Sequence, residues 1–318
     1  MEEKQINKWL RRRFSGIGWI LLGYLALLNL MVLLSMSLAS LRQVALALKT
    51  GDYSLWIDSG AIQGDAWGYI LTIAVGFVVL LGWKGWDYCR EEILAKERPM
   101  TVGAFAGLVC LCMGAQFVND LWIGLLETIL NQFGHTVEPL LEMAAGTSET
   151  VSMFLYSTLL GPIAEEVLFR GLILRTLRPF GKRFAIVMSA VLFGMFHGNL
   201  LQAPCAMVIG LLFGYAAMEH SILWAVALHV FNNLVLAELL GRVTSVLPEL
   251  LASGVILGIF GAAALIGAVL LLRRRREIGA YRQAGWMDRR CLKCFFTNSG
   301  IVIFLTCMAA SMASLLLY

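Results

Sequence analysis

The chain has 318 residues, of which 59% are hydrophobic and 14% are charged, and its formal net charge is +4. Soluble domains carry about 25% charged residues. The composition therefore excludes an ordinary soluble protein, gives no sign of a nucleic-acid partner, and predicts a multi-pass protein of the lipid bilayer. The seven cysteines form no disulfide framework, and the single CxxC pair, Cys291 and Cys294, is weak evidence for a metal site.

Nine apolar segments are close to the length of about 20 residues that crosses the hydrocarbon core. They lie near residues 17–39, 66–83, 102–118, 151–174, 184–200, 204–218, 221–240, 251–272 and 300–318. The fifth and sixth are short and share one charge-free run, so eight spans remain an alternative. The sequence predicts an all-α, polytopic transmembrane helical bundle of about 8–9 spans.

The distribution of positive charge predicts how the chain is oriented. With the N-terminus placed inside, 21 of the 25 lysines and arginines fall in the inside segments 1–13, 84–98, 175–183 and 273–293. Three fall in outside segments, and Arg170 lies within a span. Because cytoplasmic loops carry an excess of lysine and arginine, the bias predicts a multi-pass cell-membrane protein with a cytoplasmic N-terminus.

The fourth apolar segment contains three charged residues, Glu165, Glu166 and Arg170. At the centre of a spanning helix each charge costs roughly 2.5–3.5 kcal/mol, so such residues face a protein interior or a water-filled cavity. Glu166 and Arg170 are four residues apart and can form an ion pair along one helix face. Glu165 is rotated by about 100° from Glu166 and can reach a different partner.

Two of the four histidines, His197 and His229, also lie within apolar segments, and Asn233 follows His229 by one helical turn. Each of these residues alone is more often structural. Together with Glu165 they supply a carboxylate, two imidazoles and an amide, which are the groups that hydrolysis of a peptide by water requires. No serine or cysteine lies beside them in a nucleophile motif, so a covalent intermediate is not favoured.

These residues form three ordered motifs that resemble those of the CAAX-protease and bacteriocin-processing family of intramembrane glutamic proteases. EExxxR is Glu165-Glu166-Val-Leu-Phe-Arg170, FxxxH runs from Phe193 to His197, and HxxxN runs from His229 to Asn233. The resemblance covers roughly residues 150–240. It divides the chain into N-terminal helices and loops (1–149), a protease core (150–240), and C-terminal helices with a basic cytoplasmic loop (241–318).

The resemblance implies a cavity between helices and a role for each motif residue. Glu165 would be the base that activates water, assisted by His197. His229 and Asn233 would stabilise the oxyanion, while Glu166 and Arg170 would support the site. No cofactor is implied. The expected partners are the lipid bilayer and a peptide or membrane-protein substrate, and the sequence gives no oligomeric state.

The sequence favours an intramembrane endopeptidase acting near the cytoplasmic side, since Glu165 is predicted towards the inner end of its span. Members of the family trim prenylated CaaX proteins or are linked to bacteriocin maturation and immunity, and nothing in the chain chooses among these substrates. A zinc metalloprotease using Glu165, His197 and His229 is a less favoured alternative, because no HExxH motif is present. A non-catalytic immunity, scaffold or transport protein is a further alternative.

Overall fold

The computed structural model describes residues 3–52, 65–138, 140–141, 150–283 and 288–314. Over these ranges the secondary structure is almost entirely helical, and the one β-interaction is an isolated bridge between Lys96 and Ser221. The helices are α1 (Glu3–Thr50), α2 (Trp67–Ile93), α3 (Val102–Asn131), α4 (Val151–Phe180), α5 (Lys182–Phe196), α6 (Ala203–Glu219), α7 (Ile222–Thr244), α8 (Glu249–Arg273), α9 (Arg275–Gln283), α10 (Arg289–Phe296) and α11 (Ser299–Ser314).

The predicted all-α membrane fold is confirmed, whereas the predicted number of spans is not. Among the described residues six helices are long and apolar enough to cross a membrane, or up to seven if the bent pair α10 and α11 counts as one span. Two of the nine predicted segments correspond to α5 and α6, which have only 15 and 17 residues. Helix α1 continues beyond the first predicted span to Thr50, and residues 53–64 lie outside the described part of the chain.

The first and last described helices pack closely because each has a glycine at the crossing point. A Cβ atom on Gly18 would lie 2.1 Å from the backbone of Gly300, and one on Gly300 would lie 2.1 Å from the backbone of Ser15. Small residues allow helices in a membrane to approach to this distance. Beside the crossing, the ring of Phe14 packs edge-on against that of Phe295. The pair α1 and α11 thus forms one wall around the central helices.

The central helices α4, α5, α6 and α7 surround a set of fully buried aromatic rings. Phe169 of α4, Phe193 of α5 and Phe213 of α6 are each exposed by 2% or less. Glycine at position 210 of α6 makes room for this packing, since an added Cβ would lie 3.1 Å from the ring of Phe193 and 3.2 Å from the backbone of Ala190. The functional side chains are attached to this rigid centre.

Two of the central helices contain wide π-helical turns. In α4 these are Tyr156–Leu160 and Val167–Leu174, which flank Glu165 and Glu166, and in α7 the π-helical turn is Phe231–Leu239. Such turns insert an extra residue into an α-helix and are frequent at functional sites. They change which residues face the centre of the molecule. Arg170 and Asn233 lie within these turns, Glu166 directly precedes one, and Glu165 and His229 each lie two residues before one.

Candidate active site

Glu166, Arg170 and His229 form a cluster of charged and polar side chains inside the protein. Glu166 and Arg170 are fully buried, and His229 is 5% exposed. The Arg170 Nη1 atom lies 3.1 Å from Glu166 Oε1, and the same oxygen accepts a 2.9 Å hydrogen bond from His229 Nδ1. Arg170 also donates to the carbonyl of Gly210 at 3.2 Å. The predicted ion pair is therefore present, and it joins α4 to α6 and α7.

Glu165 has a different environment from its neighbour. Its side chain is 26% exposed, and its Oε2 atom lies 3.7 Å from His229 Nε2, beyond hydrogen-bond distance. No hydrogen bond joins Glu165 to any other described residue. Its carboxylate is thus accessible to water, whereas that of Glu166 is fully buried and binds His229 and Arg170 through Oε1. Glu165 lies in the middle of the 30-residue helix α4.

His197 is positioned by the end of α5. The helix stops at Phe196, and Gly198 follows His197 with a φ of +58°, a left-handed conformation that suits glycine at a helix end. The His197 Nδ1 atom lies 2.9 Å from the carbonyl oxygen of Phe193. Because a carbonyl oxygen only accepts hydrogen bonds, Nδ1 carries the proton, and in the neutral ring Nε2 is left as an acceptor.

Phe193, the first residue of the FxxxH motif, packs against both imidazoles and the buried arginine. Its ring centroid lies 5.0 Å from that of His197 and 5.7 Å from that of His229, in both cases edge to face. The Arg170 guanidinium lies 4.4 Å from the centroid of the same ring, which gives a cation–π contact. Phe193 therefore fixes the separation of the two histidines and holds one of them through its carbonyl.

Asn233 is held by a carbonyl on α4. Its Nδ2 atom donates to the backbone oxygen of Ser157 at 3.0 Å. This oxygen lies in the π-helical turn Tyr156–Leu160, where the N–H five residues later would be its partner, and that residue is Pro162, which has no N–H. Proline thus frees an acceptor for the amide, and the second Nδ2 hydrogen of Asn233 is available to another ligand.

A line of hydrogen bonds fixes which way the Asn233 amide points. Asn232 Nδ2 donates to Asn233 Oδ1 at 3.1 Å, and Gln116 Nε2 donates to Asn232 Oδ1 at 3.4 Å. The Cys205 thiol donates to Gln116 Oε1 at 3.5 Å. Gln116 and Cys205 were not predicted to be parts of the site. Gln116 carries a visible signal, since it is a polar residue in the apolar segment 102–118.

The four predicted catalytic residues, Glu165, His197, His229 and Asn233, line one cavity of about 660 Å³. The cavity lies between α3, α4, α5, α6 and α7. Among the described residues no group of three His, Cys, Asp or Glu side chains is arranged to hold a metal ion. The arrangement instead offers a carboxylate, an imidazole acceptor and an amide donor to one space large enough for water and part of a peptide.

A comparison with protein families finds a match in the segment of the chain that contains the three motifs. Residues 147–235 match the model of a family described as type II CAAX prenyl endopeptidase Rce1-like. The resemblance to the CAAX-protease family is confirmed over this segment. The family is one of proteases, so the match supports a membrane-embedded peptidase that acts on a peptide substrate. Neither the curated proteins nor the solved structures that were searched gave a match.

Proposed function

We propose that the protein is an intramembrane endopeptidase in which Glu165 activates a water molecule for attack on a peptide bond. The observation that carries the proposal is the difference between the two adjacent glutamates. Glu166 is fully buried and bound to His229 and Arg170, whereas Glu165 is accessible in the shared cavity and has no hydrogen-bond partner among the described residues. Of the two glutamates, Glu165 is the one that lines the cavity and can bind water there.

In the proposed reaction, Glu165 takes a proton from water while the water oxygen attacks the carbonyl carbon of the scissile bond. His197 Nε2 accepts a hydrogen bond from the other O–H of this water and so orients the nucleophile. The tetrahedral intermediate then collapses, the C–N bond breaks, and the proton held by Glu165 passes to the leaving nitrogen. Positioned acid–base groups of this kind contribute about 10²–10⁴-fold to the rate.

His229 and Asn233 would stabilise the negative oxygen of the intermediate. Asn233 has one Nδ2 hydrogen left after its bond to Ser157. His229 holds Glu166 through Nδ1, so donation from Nε2 requires the doubly protonated, positively charged ring. Glu165 and Glu166 lie on either side of this ring. Loss of one such donor lowers rates by about 10²–10³-fold.

The test is to compare the natural protein with a Glu165→Gln variant in proteoliposomes. Membranes from cells that lack the protein serve as the source of substrates, and new peptide N-termini are identified by mass spectrometry. Glu249→Gln is a matched control, because Glu249 is an exposed carboxylate at the start of α8 and does not line the cavity.

We expect new N-termini with the natural protein and with Glu249→Gln, and none with Glu165→Gln. Equal cleavage by Glu165→Gln would reject the proposed base. No cleavage by any of the three proteins, together with a cellular phenotype that survives Glu165→Gln, would support the non-catalytic alternative. Loss of cleavage on treatment with a chelator, restored by zinc, would support the metalloprotease alternative.

A further inference from the structure

The cavity extends towards only one end of the helices that form it. On α3, a helix that spans Val102–Asn131, the lining residues begin at Gln116, near the middle, and continue to Ile123. On α4 they run from Glu165, in the middle, back to Met153, near the start of the helix. In both helices the half that lines the cavity is the half nearer to the segment 132–150.

The same direction holds for the helices on the other side of the cavity. On α7 the lining residues run from His229 to Glu238, towards the C-terminal end of the helix. On α6 they run from Phe213 back to the N-terminal end, and Gln202 just before that end completes the wall. The four helices therefore contribute the halves that end near the segments 132–150, 197–203 and 244–249.

Contacts between these ends show that they lie together at one face of the molecule. The Trp122 indole, near the end of α3, donates to the carbonyl of Leu200, and Asn199 donates to the carbonyl of Leu140. No cavity-lining residue belongs to the loops at the opposite face. Towards that opposite face, which we call the closed face, the site is flanked by side chains that are 2% exposed or less, namely Glu166, Arg170, Phe193 and Phe213.

The two faces differ strongly in charge. The closed face contains the basic segments 1–13, 84–98, 175–183 and 273–293 with 21 lysines and arginines, whereas the segments at the open face contain three. Contacts confirm that basic segments meet at the closed face, since Glu219 at the end of α6 pairs with both Arg98 and Lys182. Because segments rich in lysine and arginine stay in the cytoplasm, the closed face is the cytoplasmic one.

We infer that the cavity opens to the non-cytoplasmic side of the membrane and receives a peptide segment from that side. The substrate class is then an exported or membrane-anchored peptide whose scissile bond is presented outside the cytoplasm. A lipid-modified C-terminus lying on the cytoplasmic surface would meet only the closed face. The identity of the occupant as a substrate rests on the proposed peptidase function, whereas the direction of access does not.

The direction of access can be measured without catalysis by labelling single cysteines. The seven native cysteines are replaced by alanine, and Met153→Cys or Gln202→Cys introduces one thiol into the cavity. Phe133→Cys, an exposed position at the open face, and Lys293→Cys, an exposed position at the closed face, are the controls. A small membrane-impermeant thiol reagent is applied to intact cells and, separately, to inside-out vesicles. Size-exclusion chromatography in detergent checks that each variant is folded.

We expect the two cavity cysteines and Phe133→Cys to be labelled in intact cells, and Lys293→Cys only in inside-out vesicles. Labelling of the cavity cysteines together with Lys293→Cys would overturn the inferred direction, and labelling from neither side would show that the cavity is closed. Labelling of Lys293→Cys in intact cells and of Phe133→Cys only in inside-out vesicles would overturn the orientation assigned to the whole chain. If the natural protein cleaves no peptide while the cavity cysteines still label from outside, the peptidase function is rejected and the direction of access stands.

Discussion

The Nδ1 atom of His229 donates a 2.9 Å hydrogen bond to Oε1 of Glu166, and these two residues are 63 positions apart in the chain. The bond joins α7 to α4 and leaves the other ring nitrogen facing Glu165 at 3.7 Å. One imidazole thus contacts a buried structural carboxylate on one edge and an accessible carboxylate on the other. The two adjacent glutamates are therefore expected to respond very differently to the same substitution.

Glu165→Gln is expected to lower cleavage by about 10²-fold or more, because the variant loses the proposed general base. Glu166→Gln is expected to lower the free energy of unfolding by about 3–5 kcal/mol, because it leaves the buried Arg170 charge without its partner. Thermal unfolding in detergent measures the second effect, and the peptide assay measures the first. Glu165→Gln should melt close to the natural protein, and a large loss of stability there would contradict the separation of roles.

Asn232→Leu tests whether the line of hydrogen bonds from Gln116 positions the amide of Asn233. The variant removes the donor to Asn233 Oδ1, so the amide can rotate, and cleavage should fall by about tenfold, close to the effect of losing one hydrogen bond. In Asn233→Ala cleavage should fall further, by about 10²–10³-fold, since this variant removes the proposed oxyanion donor itself. The informative result is a kcat that falls while KM stays constant.

Equal losses in Asn232→Leu and Asn233→Ala would mean that Asn232 does more than position its neighbour. Full activity in Asn232→Leu would mean that the line of hydrogen bonds has no part in catalysis. Gln116→Leu extends the test by one step, and we expect a smaller loss because its 3.4 Å bond is longer.

Pro162→Ala restores a backbone N–H that can compete with Asn233 for the Ser157 carbonyl. We expect cleavage to fall by about fivefold, which corresponds to roughly 1 kcal/mol, the typical net value of one hydrogen bond. Thermal stability should change little, because alanine suits a helix and the fold keeps its packing. An unchanged kcat would contradict the role assigned to the missing N–H.

Gly210→Ala should lower the free energy of unfolding by about 1–3 kcal/mol, because the new Cβ would overpack the contact between α5 and α6 at Phe193. Gly254→Ala is the matched control: Gly254 lies in helix α8, and an added Cβ there meets no atom within 4 Å. Thermal unfolding in detergent compares the two variants. We expect Gly254→Ala to be as stable as the natural protein or slightly more stable, and similar destabilisation of both would reject the packing argument.

The sequence predicted the helical fold well, because about 20 apolar residues in a row have one stable arrangement in a bilayer. The segments predicted at 102–118 and 251–272, for example, lie within α3 and α8. The number of spans was harder to predict, since α5 and α6 share an apolar run and are each shorter than a bilayer crossing. Their ends are determined by packing against neighbouring helices, which a single sequence does not reveal.

The candidate site was predicted in part. Charges and imidazoles in apolar segments are visible as anomalies, and the predicted Glu166–Arg170 pair is present. The line of hydrogen bonds through Gln116 was missed because it joins three helices that are far apart in sequence. Helix α4 also continues to Phe180, beyond the predicted end of the span at residue 174. These features depend on the register between helices, and composition does not encode that register.

The wide turns of α4 have a consequence for how this site tolerates change. A turn with one extra residue rotates everything beyond it about the helix axis, and α4 has such a turn before Glu165 and another after Glu166. Sliding an extra residue along the helix between these two positions would turn the glutamate pair relative to the cavity while both ends of α4 keep their packing. Insertions and deletions of single residues within α4 can therefore redirect the pair. Such changes in length would alter the position of the two carboxylates relative to the cavity while the packing of the helices is kept.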